Sequence, residues 1–545
     1  MRLAGNEKAA VSVIGALAMT SVIGFTALAV ELGQGYSARV DNQRVADVAA
    51  LGAALAYAQN SAVDLTSAAR RVAQANGVVN GVGGASVTVQ PDDAASPSKV
   101  TVTVRTMVPV HLARVLGQSG SYGVTGRAVA ALPVKSTPAC VVALGDSGNG
   151  IELSGATVLN AGNCGINTNA NVSVSGSSSI TTESMRIGGS MATSGASSIN
   201  VTGNGGAKTG LCNGKTSPCT VAAGNPLPAT DSRLIAAFAK LGQVPTLSVP
   251  QGTDFNPAYY PTTYSHSGKI GTLSGSTWTF PAGTYAIRNM TIGGGLSVIF
   301  KSPSVITVSG NLNMTGAALK IGENGLADLT VAGSTSTNGS STTIIGRGTH
   351  YFGGPITIGG GANFIVDAGP FSVNGNLVAG GQSNLWLGAT DNHLINGNLE
   401  IGGYATLGAG TYTINGDFLI KSGCWSCLVS GTDVTFIMKG RYQSDGGTLV
   451  SFSAPSAGPI PDLLMASLTS SQMAVAAGSQ VSFSGMIWAP NAEFLLSGGA
   501  SINGKGSACF MVVANKVSII GGTTATSICP AYTDAPVDGD VTLVQ

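Results

Sequence analysis

The pattern of apolar and polar positions changes character three times along this chain. From Ala9 to Val30 no residue is charged, and those 22 residues make about 33 Å of helix, enough to cross the hydrocarbon core of a bilayer. Beyond Glu31 the apolar residues Tyr36, Val40, Val48, Leu51 and Leu55 recur at helix-compatible spacing, set among Ala46, Ala49, Ala50, Ala53, Ala54 and Ala56. The small side chains make a slim face suited to close packing on another helix or a sheet. The pattern predicts one helix running to about Asn76, ended by Gly77. Period-two alternation follows at 85–89 and 99–104, with 122–124 leading into 128–131, which reads as a small β-meander.

From about residue 136 the pattern becomes short β-branched runs, such as Val305-Ile306-Thr307-Val308 and Ile356-Thr357-Ile358, separated by turns of small residues. The turns recur. Gly155, Gly176 and Gly195 are 21 and 19 residues apart, Gly375, Gly397 and Gly416 are 22 and 19 apart, and Gly478, Gly499 and Gly521 are 21 and 22 apart. Gly310 opens another Gly-Asn-Leu turn 65 residues before Gly375, close to three further periods. This is the girth of one coil in a stacked β-solenoid, where each unit buries its apolar edge only against its neighbours. The expected class is mainly β: a right-handed parallel β-helix, its hand set by the rule for parallel crossovers, preceded by a long helix and a meander. The segments are a membrane anchor at 1–32, a helix with meander at 33–135, the β-helix at 136–530 and an acidic tail at 531–545. Residues 205–282 lose the rhythm and form an insertion.

Composition fits a scaffold. There are 78 glycines in 545 residues, and charged residues are 9% against about 25% in ordinary domains. With 43% hydrophobic residues the chain carries too much apolar surface to remain a solvated linker. A net charge of +1, with no Lys/Arg cluster along an aromatic row, gives no sign of a nucleic-acid partner.

Eight cysteines favour an oxidising envelope compartment. Cys140 and Cys164 lie 24 apart and Cys509 and Cys529 lie 20 apart, so each pair can sit on adjacent coils. Strands about 4.8 Å apart suit disulfide geometry. Cys212 and Cys219 close a short loop. Cys424 and Cys427 have CxxC spacing without a βαβ setting or a second CxxC, so a small disulfide or packed thiols rank ahead of a redox or zinc centre.

Arg2 and Lys8 precede the apolar segment and favour a cytoplasmic N-terminus, against Arg39 and Arg44 beyond it. Cleavage after Ala29, at Ala27-Leu28-Ala29, is the competing reading. The apolar run exceeds a usual signal core of about 7 to 15 residues, which favours a retained anchor.

Candidate chemistry is thin. Asp367, Asp391 and Asp417 fall about one coil apart, as a calcium site or paired acids would require, yet they stand out of phase with their turn glycines. Asn311, Asn376 and Asn398 are in phase and read as a hydrogen-bonded ladder. His111, His266, His350 and His393 share no ligand spacing. No nucleophile elbow or phosphate loop occurs, so no catalytic residue, metal or cofactor is expected. In the insertion, Asp231-Ser232 can cap a short helix, and Phe255, Tyr259, Tyr260 and Tyr264 offer a partner surface. The plainer alternative is that this segment covers a coil edge or packs along the solenoid.

Residues 5 to about 60 resemble the N-terminal segment of the TadG-like proteins of tight-adherence (Flp) pilus assembly. The cues are the apolar helix ending at Glu31, Arg39, and the run Gln43-Arg44-Val45-Ala46-Asp47-Val48-Ala49-Ala50-Leu51-Gly52-Ala53. The stretch Val108-Pro109-Val110-His111-Leu112-Ala113-Arg114-Val115-Leu116-Gly117 is similar to the region beyond the helix in that family. The Cys140 to Cys164 block, Gly283-Thr284-Tyr285 and Trp488-Ala489-Pro490-Asn491 more loosely resemble its glycine-rich extensions. The Asp-x-Ser-x-Ser metal motif of many members is missing, as is the Gly and Glu spacing of prepilin cleavage. The resemblance implies pilus-assembly machinery in the inner membrane with its C-terminal region periplasmic or at the cell surface. Its helix would meet other assembly components through Glu31, Arg39, Asp47 and the alanine face, and its β-helix would act as a spacer or docking surface toward the outer membrane or cell wall. A secreted adhesin or carbohydrate-active β-helix is the other reading.

Overall fold

The computed structural model describes residues 7–59, 63–92, 99–111, 120–132, 134–135, 139–203, 206–212, 227–424, 426–503, 510–527, 537–538 and 543–544. The chain divides into two units, one formed by residues 1–136 with 533–545 and the other by 137–532.

In the first unit, helix α1 spans Glu7–Gln59 and α2 spans Leu65–Ala75. The single helix expected to reach Asn76 is therefore two. Asp64 has an extended backbone, and its carboxylate accepts the Thr66 and Ser67 N–H groups, a cap that starts a second helix. Gly77, at φ +88°, stands after its end as expected. Strands β1 (Ser86–Pro91), β2 (Lys99–Pro109) and β3 (Ser121–Ala131) form an antiparallel meander in that order. Val45, Ala46, Ala49, Ala50, Ala53 and Ala54 of α1 are buried against α2 and the inner face of this sheet. Two contacts require glycine. A Cβ at Gly126 would lie 2.4 Å from the Asn42 carbonyl carbon, and one at Gly52 2.7 Å from a Val72 methyl. The C-terminal segment joins this unit, because Val537–Asp538 pairs with Val134–Lys135 and Val544 N donates to Val129 O at 2.8 Å.

The second unit is a parallel β-solenoid of about 16 turns. Its inward positions repeat in columns. One runs Tyr285, Ile306, Leu329, His350, Phe371, His393, Tyr412, Phe436, Met465 and Ile487, each in register with the next. These side chains are buried, and successive coils stack about 4.8 Å apart. Alternation along each strand then sends every second residue outward.

The column does not stop at the end of the chain. Ile487 pairs with Val512, Val512 with Val141, Val141 with Ile166, and Ile166 with Met185. The coil that comes first in sequence thus lies on the coil that comes last, and the chain enters and leaves the solenoid in adjacent coils. Lys516 fastens this junction, with Nζ 2.9 Å from Glu152 and 3.3 Å from Glu493 on the coils to either side. The turn glycines of the first and third sequence groups consequently share one corner. Gly155 sits over Gly521 and Gly176 over Gly155, and all three hold φ between 74° and 77°, a backbone shape that favours glycine.

The central Gly-Asn turns have another cause. Asn376 Oδ1 accepts the Asn398 N–H and Asn398 Oδ1 accepts the Asp417 N–H, both at 2.9 Å. Asp417 Oδ1 accepts the Arg441 N–H, and Asn311 Oδ1 the Ser334 N–H, again at 2.9 Å. The preceding glycine must be bare, since a Cβ at Gly416 would meet Asn398 Oδ1 at 2.2 Å. Asn376, Asn398 and Asp417 therefore form a continuous side-chain-to-backbone ladder, while Asn311 makes the same bond separately, the coils between carrying Ser334 and Pro355 at this position. The amide-to-amide ladder lies two residues earlier, where Asn396 donates to Asn374 at 2.8 Å and Asn415 to Asn396 at 3.0 Å.

Stacking the first coils on the last forces a return crossing. Ala207 pairs at one end of the stack with Met185, and Thr253 at the other end with Ile287. The strap between them lies along the side, where Trp488 Nε1 donates to Leu227 O at 2.7 Å and α3 (Ser232–Phe238) brings Phe238 to 5.9 Å from the Trp488 ring. Leu227 and Leu234 are buried with the core.

Two outcomes test this account. Deleting residues 227–252 leaves about 19 residues, about 65 Å at full extension, to cross about 72 Å of stack; the expected result is loss of the cooperative unfolding transition, while replacing 243–252 by a Gly/Ser segment of equal length keeps it. Gly416→Ala should destabilise the solenoid by about 1–3 kcal/mol in urea unfolding. Asn398→Ala should restore only part of that loss, because the Gly397 carbonyl carbon also lies 2.8 Å from the added methyl.

Candidate functional site

Helix α1 carries both the membrane-compatible segment and the anchor of the first unit. Nearly all apolar side chains from Val11 to Leu32, including Phe25 at 74% exposure, project from the helix without protein cover, Ala27 being the buried exception, and α1 is long and apolar enough to cross a membrane. At the end of that stretch Glu31 accepts the His111 N–H at 2.9 Å, and its carbonyl accepts the Tyr122 hydroxyl at 3.0 Å. Glu31 thus ties helix to sheet. Asp47 accepts a hydrogen bond from Gln43 Nε2 at 2.8 Å, and Arg39 is exposed. Ala46, Ala49, Ala50 and Ala53 are consumed inside the unit, so they are not a face for helices of other proteins. Tyr36, Val40, Val48 and Leu55 remain exposed on the same helix.

The aromatic residues of the insertion separate. Phe255 is fully buried, within 5.3 Å of Phe280 and 5.7 Å of Phe300 by ring centres. Tyr260 stacks on Tyr264 at 3.6 Å, and its hydroxyl accepts the Asn256 N–H. Only Tyr259 of the four is strongly exposed, at 84%. The antiparallel strands Thr263–His266, Lys269–Ser274 and Thr277–Phe280 pair onto the first parallel rung at Ser297–Phe300. This aromatic group is a lid on the stack, the plainer of the two alternatives for the insertion, because an open coil end would expose both apolar core and unpaired backbone.

The carboxylates do not converge. Asp417 is occupied by the Arg441 N–H and lies 3.6 Å from its guanidinium, Asp367 faces Arg347 at 3.7 Å, and Asp391 is exposed. Among the described residues no group of three metal-ligating side chains occurs. His350 and His393 belong to the inner column, and burial lowers each to about 4. His393 lies flat on Tyr412 at 3.8 Å with Nε2 3.0 Å from Gly388 O. His266, also lowered by burial, bonds Ala286 O.

Cys140 and Cys164 form the expected disulfide between neighbouring coils, with Cα atoms 5.7 Å apart. Cys424 and Cys427 are also bonded, which selects the disulfide over packed thiols. Cys212 is disulfide-bonded, while Cys219, Cys509 and Cys529 lie outside the described residues.

One outer face of the solenoid is not foreseen from spacing. There Ile299, Lys320, Ile344, Ile365, Trp386, Thr406, Ser430, Ser451 and Ser482 lie in register coil after coil. Beside them run Thr342, Asn363, Asn384 and Tyr404. Lys320 is the one charged side chain in these lines, and its Nζ is 2.9 Å from Glu323. The signal is present as outward residues about one coil apart, but spacing alone does not say which residues face out.

Comparison with family models, curated proteins and solved structures finds no match. Fold and geometry alone define the class: a β-solenoid protein with an N-terminal helix able to span a membrane.

His350 and His393 set a pH dependence. They are neutral in the fold but take up protons near pH 6.5 when unfolded. Their contribution is complete above about pH 6.5 and declines as pH falls toward 4, by up to about 3 kcal/mol each. Urea midpoints measured between pH 7.5 and 4 should show this decline, and His350→Phe with His393→Phe should flatten it. An equally steep decline in the double variant would assign the effect to other groups.

Proposed function

We propose that this chain is a single-pass membrane component of a tight-adherence type pilus assembly system, with α1 as inner-membrane anchor and the solenoid as a rigid structural body on the periplasmic or outer side. The observation that carries this reading is the continuity of α1. One helix presents a largely uncovered apolar surface over Val11–Leu32 and, without a break, supplies the buried alanine face of the first unit. In this reading the protein works by position and stiffness, with no catalytic step and no cofactor. Because the alanine face is taken up internally, assembly partners meet the exposed stripe of Tyr36, Val40, Val48 and Leu55, flanked by Arg39. The solenoid then projects toward an outer-membrane or cell-wall component.

The test is fractionation with N-terminal sequencing, together with a gene deletion in the native host. The proposal expects an uncleaved chain in the inner-membrane fraction and loss of surface pili on deletion. Val40→Asp with Val48→Asp should leave anchoring intact and disrupt co-purification with the assembly machinery. A soluble chain starting at Val30, or normal pili in the deletion strain, would remove the proposal.

A further inference from the structure

One outer face of the solenoid combines a run of hydroxyl and amide side chains with an aromatic patch, and Lys320 is the one charged residue in the lines named above. Ion pairs occupy other positions, as with Glu152, Glu493 and Lys516 at the junction and Arg441 with Asp417 at the asparagine corner. On the neutral face, serine, threonine and asparagine fill most outward positions. The line Thr526, Asn160, Thr181 and Asn200 continues this pattern in register across the junction. Near the middle the polar run gives way to Ile344, Ile365 and Trp386 on successive coils, with Tyr404 beside them at 47% exposure.

The register fixes the geometry of this patch. Tyr404 pairs with Asn384, two residues from Trp386 on the same side of the strand, a diagonal separation of about 7–8 Å that aromatic side chains bridge. Asn363 pairs with Asn384 in line with Tyr404. Leu385 and Leu387, which alternate with Asn384 and Trp386, are fully buried, so the backbone holds both aromatic positions outward. The strap uses another surface, with Leu227 and Phe238 at Trp488, and the lid closes this face at its first rung, where Thr277–Phe280 pairs with Ser297–Phe300, well away from Trp386.

A ligand for this face must be uncharged, offer many hydroxyl groups and present apolar C–H surface to an aromatic ring. Among the described residues a polyanion finds no unpaired cation in these lines, since Lys320 is paired with Glu323. A bilayer surface needs a broader apolar area than one short patch set among hydroxyls and amides. We propose that the neutral face binds an uncharged polysaccharide, laid across successive coils, with Trp386 and Tyr404 as stacking platforms and Asn363 and Asn384 as hydrogen-bonding partners of the sugar hydroxyls. The combination of hydroxyl and amide side chains with a flat aromatic patch, free of unpaired charge among the described residues, is what a neutral polyol would meet with its hydroxyls and C–H faces. The inference does not depend on the pilus assignment.

The test uses the full-length protein in a detergent without a sugar head group, run in native gels containing a neutral polysaccharide (dextran, a soluble β-glucan or galactomannan) or the polyanion alginate. The expected result is retardation by at least one neutral polysaccharide and none by alginate. Trp386→Ala and Tyr404→Ala should each weaken binding about tenfold, with the circular dichroism spectrum unchanged, whereas Tyr259→Ala should bind as the parent does. Absence of retardation by all three neutral polymers, equal binding by Trp386→Ala, or stronger binding to alginate would each overturn the proposal. So would an oligomer of the parent chain that Trp386→Ala dissociates without any change in polysaccharide binding, since the face would then be an interface between copies.

Discussion

Coil-to-coil hydrogen bonding along the solenoid is the constraint on which the second unit depends. Each strand satisfies its backbone groups through the coils on either side, and each inward side chain packs on its counterparts about 4.8 Å away and, as Phe418 on Phe436, on side chains of the other faces. A residue is therefore judged against its column more than against its sequence neighbours. His393 is tolerated in the interior because Phe371 and Tyr412 flank it in register and Gly388 O accepts from its ring. Gly416 is required because the Asn398 side chain reaches up from the coil before.

The same constraint explains the unusual order of the coils. A stack can be started at any rung provided the chain closes the gap, so coils from 139 onward can lie on the coil ending at Ser527. Residues 533–545 then return to the unit that residues 1–136 began, and adjacent coils provide both the way in and the way out. The strap follows from this choice. It must travel the length of the stack, and it becomes stable by covering Trp488 with Leu227 and Phe238. What reads in sequence as a binding insertion is largely a return path and a lid.

Much of the architecture was legible. Turn spacing of about twenty residues gave the coil, and the 24-residue separation of Cys140 and Cys164 gave one inter-coil disulfide. The apolar run from Ala9 to Val30 marked a helix able to span a membrane. The alanine face was recognised as a packing face, but its partner was not, since Ala46 and Ala49 fit a foreign helix as well as the chain's own sheet. Phe255 and Tyr259 are close in the same aromatic segment, and only stacking against Phe280 and Phe300 separates the buried residue from the exposed one.

Local chemistry written into the chain determined the coil length, the glycine corners, the alternation of inward and outward residues and the long N-terminal helix, because each depends on backbone preference and on residues within one repeat. Tertiary structure alone decided the stacking order, the course of the strap and which outward residues come to share one face. Those depend on which coil lies next to which, and every coil presents nearly the same edge to its neighbour. A repeat fixes the shape of its unit while leaving open where in the stack that unit goes.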